Sequence, residues 1–78
     1  MKNSIYQNSK STLLAIAKQV KRTNKTDKPY IRMVINDEAD SICRQIDWHA
    51  IKGTISDKQS KQYQLWLHSY AGDLHPKN

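Results

Sequence analysis

Few side chains in this sequence could do chemistry. The thiol and imidazole groups are Cys43, His49, His68 and His75, and no two of them stand at a CxxC or HxxxH spacing. Three ligands for zinc would have to converge through the fold alone, so no metal site is expected. Cys43 and His49 are six residues apart and leave a helix from different faces. No GxSxG elbow or glycine-rich loop prepares a nucleophile or an oxyanion hole. The neighbouring acids Asp37, Glu38 and Asp40 suit a helix N-terminus or a basic partner better than an acid–base pair. There is no P-loop or dinucleotide fingerprint. The reading is a non-enzymatic chain with no catalytic residue, cofactor or metal. Cys43 is a small core residue with no base beside it, and the histidines are surface or capping groups.

The other group with a chemical consequence is the cations. Residues 1–35 hold eight Lys and Arg against Asp27 alone, a net of +7, whereas residues 36–78 hold five against six acids, a net of −1. Lys18, Lys21, Arg22 and Lys25 recur at i, i+3, i+4 and i+7, one face of a helix, opposite Leu13, Ile16, Ala17 and Val20. Lys28 and Arg32 extend this basic stripe. A solvating helix interleaves both signs in i,i+4 pairs; this segment has no acid. Such a stripe can neutralise phosphates along a nucleic-acid backbone, DNA or RNA, or meet an acidic protein surface. An interfacial membrane helix would carry Trp or Phe on its apolar face, and this one has neither. Trp48, flanked by Asp47 and His49, is expected to be partly exposed and to serve as a possible protein-partner anchor.

These residues need elements to hold them. The longest periodic run is Pro29–Ile51, with Ile31, Val34, Ile35, Ala39, Ile42 and Ile46 spaced three and four apart. It predicts a central helix with a possible break at Asn36, ended by Gly53 as the left-handed C′ residue. A first helix over residues 12–22 is capped by Ser9 or Ser11. Ser56 and Gln59 form a capping box for a last helix from Asp57 to about Ala71, closed by Gly72 and Pro76. Its inward face is Tyr63, Trp66, Leu67, Tyr70 and Leu74. The expected fold is all-α, one small domain of three main helices, with loose ends at about 1–4 and 75–78.

An alternative concerns residues 30–35, where Ile31, Met33 and Ile35 alternate as in a short strand. The order strand (30–35), helix (37–52), glycine turn (Gly53), helix (57–71), with a basic N-terminal arm, resembles the ribbon-helix-helix family over residues 30–71. That resemblance implies a homodimer whose ribbon presents Arg32 to base edges. It departs at Lys58, Gln59, Ser60 and Lys61, where the family's second helix is apolar. A helix-turn-helix about Gly53 does not fit: His49 stands where a small residue belongs, and Lys52 where an apolar one does.

Seventy-eight residues make a single domain that buries only ~60% of its unfolded surface, so dimerisation would be an easy remedy for a lean core. One cysteine leaves no internal disulfide, and no apolar run approaches a membrane span, so a cytoplasmic setting is expected. The resulting functional expectation is a small basic regulatory or accessory protein that binds nucleic acid through Lys18, Lys21, Arg22, Lys25, Lys28 and Arg32. The alternative is a protein-binding inhibitor or adaptor, such as a phage or mobile-element protein that blocks a host nucleic-acid machine.

Overall fold

The computed structural model describes residues 4–76. Three helices follow one another: α1 (Ser4–Thr23), α2 (Lys28–Ile51) and α3 (Asp57–Leu74). The signals that bound them act locally. The Asp27 carboxylate accepts the Tyr30 N–H at 3.2 Å, and Pro29 occupies the first turn of α2, where its missing N–H is harmless. At the other end of α2, Gly53 takes φ +83°. Its N–H donates to Ala50 O at 3.1 Å and the Thr54 N–H to His49 O at 3.0 Å. This pair of bonds is a Schellman ending, and the left-handed φ makes glycine the residue that fits there. The capping box opens α3: Ser56 Oγ accepts the Gln59 N–H at 3.1 Å, and Gln59 Oε1 accepts the Ser56 N–H at 3.0 Å.

The helices run up, down and up. α2 and α3 are antiparallel, since Asp47 meets Gln64, Cys43 meets His68 and Asn36 meets His75. α1 runs parallel to α3, with Tyr6 against Trp66 and Lys10 over Tyr70. One core cluster draws on all three helices: Leu13, Ala17 and Val20 from α1; Ile31, Ile35, Ala39, Ile42, Cys43 and Ile46 from α2; Leu67 and Ala71 from α3. The bundle is long and thin, 42 × 19 × 16 Å. α3 ends level with Asn36, so the start of α2 and the end of α1 project past it as a two-helix hairpin.

Several expectations change. α1 begins at Ser4, not Thr12, so neither Ser9 nor Ser11 is a cap, and Ser9 is buried inside the helix. The early residues are held by packing: the Tyr6 and Trp66 ring centroids are 4.0 Å apart, and Trp66 stacks on Tyr70 at 5.3 Å. α2 has no break at Asn36, whose side chain instead meets His75 Nε2 at 2.8 Å. Residues 30–35 are helix, and no strand occurs among the described residues. A ribbon would set Ile31, Met33 and Ile35 on one face. Here Ile31 and Ile35 are buried while Met33 is 50% exposed, which is helical spacing. The ribbon-helix-helix alternative is therefore replaced by a plain three-helix bundle. α3 passes through Gly72 to Leu74 before His75 caps it. Of the ends expected to be loose, residues 1–3 and 77–78 lie outside the described residues. Ser4 starts α1, while His75 and Pro76 are tied to α2 by side-chain hydrogen bonds.

Candidate nucleic-acid interface

The projecting hairpin gathers the cations. Lys18, Lys21 and Arg22 lie in the last turns of α1, Lys25 in the connection, and Lys28 and Arg32 in the first turns of α2. Antiparallel packing thus brings all six to one end of the bundle. Lys18, Arg22 and Lys25 are exposed; Lys21, Lys28 and Arg32 are half-buried. Asp27, the one carboxylate in residues 1–35, is engaged as the cap of α2.

α3 adds a group that the sequence did not tie to the cations. The His75 imidazole reaches this end, and Arg32 Nη2 donates to the Pro76 carbonyl at 3.4 Å. Burial lowers the His75 pKa, and the positive charges of Arg32 and Lys21 lower it further. Cations from α1 and α2 therefore act on one imidazole from α3. His75 lies 39 residues from Asn36 in sequence, so no local spacing announces this meeting.

Part of this charge has a structural use. Lys21 and Arg22 sit in the last turn of α1, where a helix dipole favours cations. Lys28 is the first residue of α2, where the dipole disfavours a cation, and no acid follows in that first turn. Helix stabilisation accounts for two of the six and not for the concentration of positive charge at the tip.

The other singled-out residues stand elsewhere. Trp48 is 56% exposed and lies ~24 Å along α2 from Arg32. Lys52 Nζ sits 5.9 Å from its ring centroid, a weak cation–π contact. Cys43 is buried as expected, but it does have a base beside it: Sγ is 3.6 Å from His68 Nε2, across 25 residues of sequence. Burial pushes the thiol pKa up, and the carboxylates of Asp40 and Asp47 push it further. A thiol held in its neutral form is a poor nucleophile. Among the described residues, no three His, Cys, Asp or Glu side chains converge as a metal site would require. No helix there is long and apolar enough to cross a membrane.

Comparison of the chain with protein-family models, curated proteins and solved structures gave no significant match.

Proposed function

We propose that this chain is a small non-enzymatic regulatory or accessory protein that binds nucleic acid through its cationic end. The observation that carries the reading is the convergence of Lys18, Lys21, Arg22, Lys25, Lys28 and Arg32 on one end, with the one carboxylate of residues 1–35 engaged as a helix cap. Phosphates are its natural complement, because a row of cations releases the counterions condensed on a polynucleotide. The contacts are of the backbone-positioning kind, which carries affinity without reading sequence.

The test is the salt dependence of binding to duplex DNA and RNA. Each phosphate contact contributes a slope of roughly −0.9 in log K against log[salt] on B-DNA. Lys21→Glu with Arg22→Glu flattens that slope by about two and weakens every sequence alike, with the helix content unchanged. Arg32→Ala, on a helix and not a ribbon, behaves as one more phosphate contact and does not relax a base preference. No binding by the parent at low salt overturns the reading. An acidic protein would use the same charges, and its signature is a partner that stays bound to the chain in lysate after nuclease treatment.

A further inference from the structure

The two most exposed large apolar side chains lie on one groove away from the cationic end. Ile51, on the last turn of α2, is 74% exposed, and Leu65 on α3 is 72% exposed. Ala50 and Ile51 line the α2–α3 groove together with Lys61 and Gln64, and the same two polar residues continue it to Leu65 and His68. The apolar positions are thus joined along one groove rather than scattered, which is the pattern that marks an interaction surface.

The charges around this groove are balanced. Asp47, Asp57 and Lys61 line it and Lys52 follows Ile51, all exposed, two of each sign. Two copies that approach through the cationic ends repel each other, because residues 1–35 carry +7. At the α2–α3 groove that repulsion is absent. A face with apolar centres and equal numbers of both signs can complement itself across a two-fold axis, where each carboxylate is offered an amine of the other copy. A nucleic acid, by contrast, would meet the carboxylates of Asp47 and Asp57 there. The lean core supplies a further reason, since a chain of 78 residues gains more from burying additional apolar surface than a large one does.

We propose that a second copy of this chain docks on the α2–α3 face around Ile51 and Leu65, forming an isologous dimer that leaves both cationic ends free. This inference is independent of the nucleic-acid reading; it deals with a different face and a different partner. Sedimentation equilibrium from micromolar to several hundred micromolar chain, at moderate salt, tests it. The mass of the parent should rise from 9.1 kDa toward twice that value. Ile51→Asp with Leu65→Asp should remain a monomer throughout while keeping the parent's helical circular dichroism. Met33→Asp, at a half-exposed apolar site on the opposite end, should dimerise like the parent. Should the double variant lose helicity, Leu65→Ser alone gives the same readout as an association weakened at least tenfold. A parent that stays monomeric across the range overturns the proposal, and so does an Ile51/Leu65 variant that associates as the parent does.

Discussion

His75 adds a charge to the cationic end only on the acid side of the ordinary imidazole pKa. Its pKa lies below the ordinary 6.5 because burial, Arg32 and Lys21 all oppose the imidazolium. The unfolded chain therefore takes up this proton before the folded one does. The stability linked to His75 is present above pH 6.5 and is lost as pH falls through that value toward the lower folded pKa. In urea melts, His75→Gln should flatten the decline of the midpoint across that window relative to the parent, leaving the carboxylate limb at lower pH in place. Cys43 tests a different residue-scale claim. Its raised pKa and burial predict slow alkylation by iodoacetamide in the folded protein, with the ordinary thiol rate recovered in denaturant. Cys43→Ala should cost ~1 kcal/mol and leave nucleic-acid binding unchanged. A binding defect in a stably folded Cys43→Ala variant would give the Cys43–His68 pair a role that its chemistry does not suggest.

At the scale of elements, the bundle depends on how its short helices dock. Trp66 lies between Tyr6 of α1 and Tyr70 of its own helix, so it joins the first and last elements. Trp66→Ala should cost ~3 kcal/mol or more, a large share of the stability of so small a domain, and the thermal melt measures it. Tyr6→Ala should be destabilising as well, which would be surprising for a residue in a frayed tail. These aromatics also mark what could be read from the sequence. The limits of α2 were legible because Pro29 and Gly53 act within a turn of themselves, and the Asp27 cap stands beside the first of them. Ser56 and Gln59 announced α3 for the same reason. The start of α1 was not legible, because Ile5 and Tyr6 stand in a polar stretch and their helix is stabilised by Trp66, sixty residues away. Gly72 misled because a glycine ends a helix only where the backbone turns left-handed, and here it does not. In the candidate site, the six cations could be seen in the charge pattern. The meetings of His75 with Arg32 and of Cys43 with His68 depend on the antiparallel register of α2 and α3, which local spacing does not encode.

For the whole molecule, the early end of α3 has a dynamic consequence. Beyond Asn36 the bundle thins to two helices, with Ala17, Val20 and Ile31 as its last apolar contacts. A segment with fewer layers opens at lower free energy than the rest, so it exchanges its amide hydrogens sooner. In deuterated solvent the amides near Val20–Thr23 and Ile31–Arg32 should label well before those near Ile42–Ile46, without global unfolding. Lys21, Arg22, Lys28 and Arg32 belong to that same early-labelling segment. A polyanion that bridges the two helices of the hairpin would hold them together, and its occupancy would be read as slowed labelling there and nowhere else. The thinnest part of the bundle would then report its own ligand.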